Sequence, residues 1–124
     1  MLREIGAYLA TKSIGKVGTD IFLGLMPDQP DNCIALFEYA GSPPDLHWEG
    51  EYPGLQVRVR DKSYPAGKAK IEQIVRVLHG LHETVLGGTR YLLVKARGSP
   101  EVLKRDNNNR VEFFVNFQII KERD

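Results

Sequence analysis

Two histidines lie close together in a segment for which the sequence predicts a helix. His79 and His82 are three residues apart, so both rings would share one helix face and could reach a single metal ion. A third ligand at a matching position is missing, because Glu83 lies about 100° around the helix from His82. We therefore interpret both histidines as ordinary solvent-facing side chains, and we predict no metal or cofactor site.

Cys33 is the only cysteine of the chain. A catalytic cysteine needs a base such as histidine, which can be distant in the sequence. Cys33 begins an apolar segment, however, where cysteine usually behaves as a small buried hydrophobic residue. With no second cysteine it forms no internal disulfide, which is typical of proteins from reducing compartments. We therefore predict a structural role for Cys33.

Three carboxylates, Asp45, Glu49 and Glu51, lie in a segment rich in proline and glycine. Clustered carboxylates can hold Mg²⁺ and activate water, as in nucleases. Such sites usually also have an acidic residue two positions before a lysine, and no Asp or Glu of this sequence has that spacing. A phosphate-binding loop is not indicated either, since Gly87-Gly88 is not followed by lysine and Ser or Thr. We interpret the three carboxylates as solvated or interface charges.

The composition is that of an ordinary soluble globular protein. The 124 residues predict one domain, 1–124, with 42% hydrophobic and 27% charged residues. The formal net charge of +1 gives no overall field that would favour non-specific nucleic-acid binding or attraction to a membrane surface. No apolar run approaches transmembrane length, and Met1–Lys12 is too short and too charged for a signal peptide.

Hydrophobic periodicity predicts an α+β fold. We expect two main helices, Met1–Lys12 and a second one that begins at the N-cap Ser63 and carries an apolar stripe to Leu81. We expect a twisted antiparallel sheet of about five strands, with Thr19–Leu25 and Cys33–Tyr39 as an antiparallel pair. The remaining strands are predicted at Leu55–Asp61, Tyr91–Ala96 and Val111–Ile120, with Gly41–Gly54 and Arg97–Arg110 as long irregular loops.

The order and spacing of three segments resemble the minor capsid / tail terminator (tail-to-head joining) family of long-tailed bacteriophages. The segments are Asp31–Leu36 (DNCIAL), Pro53–Arg60 (PGLQVRVR) and Val115–Phe117 (VNF), and the likeness runs from Gly18 to Phe117. None of the three is a catalytic signature, since each is a strand with its turn. The resemblance therefore implies a structural protein without a cofactor rather than an enzyme.

Proteins similar to this chain form a ring, commonly a hexamer, at the head-proximal end of the tail. The resemblance implies that the ring ends polymerisation of the tail tube and provides the surface for head attachment. The implied partners are other copies of the chain, the major tail tube protein and a head-completion or connector protein; genomic DNA could pass through the ring, without specific nucleic-acid binding. The implied location is the head–tail junction of the virion, and the host cytoplasm during assembly. Two alternatives stay open, a head-completion or connector ring protein and a small nucleic-acid-binding or nuclease domain.

Candidate interface residues come from one strand face and from the two predicted loops. Arg58 and Arg60 are expected to point away from the core, either toward solvent with cross-strand partners such as Glu38 or into a seam between subunits. Loops can vary while a sheet holds their position, so both long loops are further candidates for docking contacts. The loop residues are Trp48, Glu49 and Glu51 from the first loop, and Lys104, Arg105, Asp106 and Arg110 from the second.

Overall fold

The computed structural model describes residues 1–123. These residues form two helices and seven strands. In chain order they are α1 (Leu2–Thr11), β1 (Ile21–Leu23), β2 (Cys33–Ser42), β3 (Gly50–Asp61), α2 (Tyr64–Leu78), β4 (Leu81–Leu86), β5 (Thr89–Ala96), β6 (Glu101–Arg105) and β7 (Val111–Glu122).

The strands of residues 1–123 form one sheet in the order β1-β2-β3-β7-β5-β4, with β6 also paired to β7. Strand β7 is the centre of this arrangement. It pairs with β3 from Gly50↔Glu122 to Asp61↔Val111 on one edge. Its other edge holds β5 near the carboxyl end and β6 near the start, one after the other. The predicted α+β class and the two helices are confirmed, but the sheet has seven strands instead of about five.

Both helices pack on the same face of the sheet, and the core lies between them and the strands. Helix α2 buries Gly67, Ile71, Ile74 and Leu78, whose spacing of three or four residues places them on one stripe. The alternation predicted for β3 and β7 is confirmed, since Leu55, Val57 and Val59 and the odd-numbered residues of β7 are buried. The predicted N-cap is also confirmed, because the Ser63 hydroxyl accepts a hydrogen bond from the Ala66 amide at 3.3 Å.

The predicted antiparallel pairing of the first two strands is wrong. Strand β1 lies parallel to β2, with Ile21 opposite Ile34 and Leu23 opposite Leu36. A parallel neighbour needs a connection that returns along the sheet instead of a tight turn. Residues 24–32 make this return without a helix, so other contacts must hold them against the sheet.

The second helix ends earlier than predicted. It stops at Leu78, and Gly80 adopts a φ of +90° that leads into β4, so Leu81 belongs to a strand. Strands β4 and β5 form a hairpin in which Leu86 lies opposite Thr89. Its two turn residues, Gly87 and Gly88, have φ values of +57° and +87°, which is the conformation that two-residue hairpin loops favour and that glycine adopts without strain.

Neither predicted long loop is a loop throughout. Strand β2 extends to Ser42, which lies opposite Tyr52 of β3, so residues 43–49 alone connect the two strands. The second loop, predicted at Arg97–Arg110, contains β6, and a short turn of residues 106–110 connects β6 to β7. Both differences have the same cause, because strands exposed to solvent lack the apolar alternation from which a strand is predicted.

Candidate assembly interfaces

Arg60 holds the return connection between β1 and β2. Its Nε atom donates a hydrogen bond to the Asp31 carbonyl at 3.0 Å, and its Nη2 atom donates to the carbonyls of Pro27, Asp28 and Pro30 at 2.6, 3.2 and 2.7 Å. Arg60 is 4% exposed. The expectation that it lies exposed on the outer strand face is therefore wrong, because residues 27–31 fold over it.

Arg110 holds the same connection from the other side. Its Nη1 atom donates a hydrogen bond to the Asp28 carbonyl. The guanidinium also forms ion pairs with the carboxylates of Asp28, Asp31 and Asp106 at 2.9, 3.2 and 2.8 Å. The hydrogen bond to Asp28 raises the pKa of Arg110 most, desolvation lowers it, and the hydrogen bond to Asp106 adds to the increase. Burial alone would raise the pKa of Asp106, but hydrogen bonds from the Arg110 amide and guanidinium lower it further than burial raises it. Asp106 and Arg110 thus stabilise the fold through contacts within the chain.

The face of the sheet opposite the helices, which we call the outer face, carries Phe37, Gln56, Arg58, Phe114 and Asn116. Arg58 lies over the Phe37 ring at 4.8 Å and donates a hydrogen bond to Gln56 at 2.7 Å. Gln56 in turn donates to Asn116 at 3.1 Å, so polar contacts cross from β3 to β7. The five side chains are half-buried, and both helices lie on the opposite face of the sheet. The predicted outward direction of Arg58 is confirmed.

The connection of residues 43–49, which we call the hairpin tip, is held by hydrogen bonds. Asp45 accepts one from the His47 amide at 2.8 Å and one from the Tyr52 hydroxyl at 3.0 Å. These two bonds, that of His47 first, lower the pKa of Asp45. The Trp48 indole also donates to the Tyr52 hydroxyl at 3.3 Å and meets that ring edge to face. The tip is therefore an ordered structure, and its Leu46 is 93% exposed.

The other predicted interface residues are distributed over the sheet. Glu49 lies 3.9 Å from Arg123, and Glu51 lies 3.8 Å from the buried Lys121. On β6, Lys104 approaches Glu112 at 3.8 Å, and Arg105 donates to Asn109 at 3.0 Å. Glu38 is exposed opposite Leu55, and within residues 1–123 it forms no ion pair with either arginine. The carboxylates predicted as a cluster thus have separate partners within the chain.

The residues considered for catalysis do not form a site in residues 1–123. His79 is the residue directly after α2, and its Nδ1 atom accepts a hydrogen bond from the Ala96 amide at 2.9 Å, whereas His82 lies on β4. Cys33 is 3% exposed, which confirms its predicted burial, and that burial raises the pKa of its thiol. The described residues contain no group of three His, Cys, Asp or Glu side chains placed to hold a metal ion. Across the same residues, no helix is long and apolar enough to cross a membrane.

Comparison with known proteins identifies the family. The sequence profile of the family described as "Bacteriophage tail terminator protein" matches residues 8–123. The chain therefore belongs to the bacteriophage tail terminator family, a class of phage structural proteins. The resemblance found in the strand segments is thereby confirmed.

A solved structure with the same fold comes from a phage-like particle. It is described as "Virion of native gene transfer agent (GTA) particle", and one of its chains matches with a TM-score of 0.75 and 14% identity. The match covers 99% of this chain and 95% of that chain. No curated protein sequence matches. At 14% identity, this match shows that the two chains share a fold and nothing more.

Sequence reasoning missed three residues that organise these surfaces. Tyr52 and Arg123 hold the hairpin tip, and Leu46 is presented by it. One signal was available for the buried arginines: residues 27–31 include two prolines and lack large apolar side chains, so this segment can attach to a sheet only through its polar groups. Neither composition nor periodicity indicates which side chains supply the hydrogen-bond donors.

Proposed function

We propose that the chain forms a ring at the head-proximal end of a phage tail, where it ends polymerisation of the tail tube and provides the surface to which the head attaches. The family match over residues 8–123 is the observation that carries this proposal. The partners are other copies of the chain, the major tail tube protein and a head-completion or connector protein. No step of this function needs a catalytic group or a cofactor.

The surfaces of the subunit support an assembly role of this kind. A cap on a tube needs one surface for neighbouring copies, a second for the tube and a third for the head. The chain offers one such surface at the outer face around Arg58, continued by the neighbouring exposed strand β6, and another at the hairpin tip. Strand β6 pairs with β7 on one side, and its Val102 and Leu103 are 50% and 41% exposed. Exposed apolar side chains on an edge strand favour contact with another chain.

The proposal depends on a simple property of tube polymers. Each added ring of tube protein exposes the same binding surface as the ring before it, so growth continues until a different subunit occupies that surface. A subunit that binds the tube through one surface and presents a different one to solvent ends growth. The same new surface then distinguishes a completed tail from a growing one, which explains how a head can attach to completed tails alone.

Removal of the gene from the genome that encodes the particle tests this proposal. Electron microscopy should show DNA-filled heads separate from tails, with some tails longer than normal. A matched strain that supplies the intact chain from a plasmid should restore joined particles of normal length. Joined particles of normal tail length in the deletion strain would refute tail termination. Tails of normal length that fail to join heads would favour the alternative, a head-completion or connector protein.

A further inference from the structure

We propose that Arg58 binds a carboxylate on the outer face, and that an aspartate or glutamate side chain of another subunit of the tail supplies it. This inference rests on the proposed function, which places such subunits next to the chain. The guanidinium of Arg58 is fixed by contacts within the chain, while its terminal nitrogens are left free.

Contacts within the sheet hold the Arg58 guanidinium in one position. It lies over the Phe37 ring at 4.8 Å, and its Nε atom donates a hydrogen bond to the Gln56 carboxamide oxygen at 2.7 Å. Gln56 is fixed in turn by its hydrogen bond to Asn116 at 3.1 Å. A side chain that is ordered before binding loses little conformational entropy when a ligand binds, which favours its use in recognition.

The two terminal nitrogens of Arg58 are available to a ligand. Within residues 1–123, Nη1 and Nη2 form neither a hydrogen bond nor an ion pair. No buried side-chain nitrogen of the same residues lacks a partner, so both Nη atoms must be accessible to solvent. Two parallel N–H groups of a guanidinium match the two oxygens of a carboxylate.

Arg58 lines a cleft on the outer face with a volume of about 420 Å³. Met26 and Phe37 supply apolar parts of the same lining. An acidic side chain has methylene groups that can pack on these apolar parts while its carboxylate meets Arg58. A free phosphate ion has no such apolar part.

The carboxylates that line the cleft already have cationic partners. Asp28 and Asp106 lie 2.9 and 2.8 Å from Arg110. Glu112 lies 3.8 Å from Lys104. None of the three carboxylates forms an ion pair with an arginine of β3 in the described residues.

The net charge of the lining favours a carboxylate over a phosphate. Arg58 and Arg60 bring the lining to four cations against three carboxylates, a net charge of +1. One carboxylate neutralises this charge. A phosphate dianion, or the successive phosphates of a nucleic acid, would place additional negative charge beside the three carboxylates.

A further carboxylate of the outer face, Glu101, does not neutralise Arg58. Glu101 lies opposite Phe114, and Phe114 lies opposite Arg58 on the other edge of β7. Two strand spacings, about 10 Å, therefore separate Glu101 from Arg58, and charges on the surface are largely screened beyond about 8 Å at physiological ionic strength. The carboxylate for Arg58 therefore comes from another molecule.

Titration of the isolated chain with sodium propionate tests the site. Propionate reproduces the end of a glutamate side chain, and at constant ionic strength it should shift the NMR signal of the Arg58 Nε–H group until the site is saturated. Inorganic phosphate should shift this signal less. Arg76 is the matched control and should shift little, since it is exposed on α2 at the other face of the sheet.

Co-sedimentation with purified tail tubes tests the source of the carboxylate. Arg58→Ala should bind the tubes at least about tenfold more weakly than the unaltered chain, the factor expected for one hydrogen bond of a charged group. Arg58→Lys should bind between the two, because lysine keeps the charge but lacks the planar pair of donors. Arg76→Ala should bind like the unaltered chain. A melting temperature above that of the assay excludes unfolding as the cause of weaker binding.

The outcomes separate this inference from the proposed function. Equal shifts of the Arg58 and Arg76 signals, or an Arg58 shift that does not saturate, would overturn the carboxylate site. Saturable propionate binding with normal binding of Arg58→Ala to tubes would overturn a tail subunit as the ligand and assign the site to a free organic acid. Both results leave the proposed function standing. Failure of the unaltered chain to bind tubes would overturn the proposed function, and a tail subunit as the ligand with it.

Discussion

Replacement of Arg60 by alanine should destabilise the subunit strongly. The guanidinium is buried and donates to four backbone carbonyls of residues 27–31. A hydrogen bond from a charged group contributes about 1.5–3 kcal/mol, but part of this is recovered because water can reach Asp28 and Pro30, which are exposed. We therefore expect a loss of about 3–5 kcal/mol in the free energy of unfolding, which is less than the sum for four such bonds.

This loss is a large share of the total, since a domain of this size is stable by about 5–15 kcal/mol. The melting temperature should fall by about 10–20 °C, measured by circular dichroism. Arg60→Lys keeps the charge but loses the planar arrangement of donors. Its melting temperature should therefore lie between those of the Arg60→Ala variant and the unaltered chain.

Arg58→Ala is the matched control on the same strand face. Arg58 is half-buried, with one hydrogen bond to Gln56 and one contact with the Phe37 ring, so its loss should cost about 1 kcal/mol. If Arg60→Ala melts within about 3 °C of the Arg58→Ala protein, the carbonyl contacts do not stabilise the fold and the reasoning fails.

Two further predictions concern single side chains. The lowered pKa of Asp45 means that its ionised form stabilises the folded tip; this stability is complete above the pKa of the unfolded chain, about 3.9, and is lost as the pH falls through the lower folded value. Asp45→Asn should therefore melt below the unaltered chain at pH 7, and the difference should shrink below pH about 4; an unchanged difference would contradict this assignment. Cys33 should react with a thiol reagent slowly in the folded protein and at once in urea, because it is 3% exposed; equal rates would contradict its burial.

Strands with one buried face were predictable from the sequence, and exposed strands were not. The alternation of Leu55, Val57 and Val59 exists because the core selects apolar residues at every second position. Strand β6 is exposed over its whole length, and β4 is exposed at His82, Glu83 and Val85, so no core selected an alternation there. Strands β6 and β4 form because they pair with β7 and β5. The residues that determine this pairing lie in other parts of the chain.

The role of Arg60 shows the same limit for a side chain. Alternation correctly placed Arg60 on the same strand face as Arg58, opposite Val57 and Val59. Exposure of that face depends on residues 27–31, which lie about thirty positions before Arg60 in the sequence. This segment folds over Arg60 and leaves Arg58 half-buried. Candidate residues of the hairpin tip, such as Trp48 and Glu49, were recognisable from composition, but the hydrogen bonds that order the tip join residues as distant as Asp45 and Arg123.

The pairing of β3 with β7 determines how the subunit carries mechanical load. The two strands are antiparallel and paired from Gly50 to Asp61, and the hairpin tip extends from one end of this pair. A pull on the tip along the strand axis acts across the direction of the backbone hydrogen bonds, which lie perpendicular to the strands. The bonds are then loaded together in shear instead of being opened one at a time. In the joint between head and tail that we propose, a subunit built this way would resist tension with the full length of its central strand.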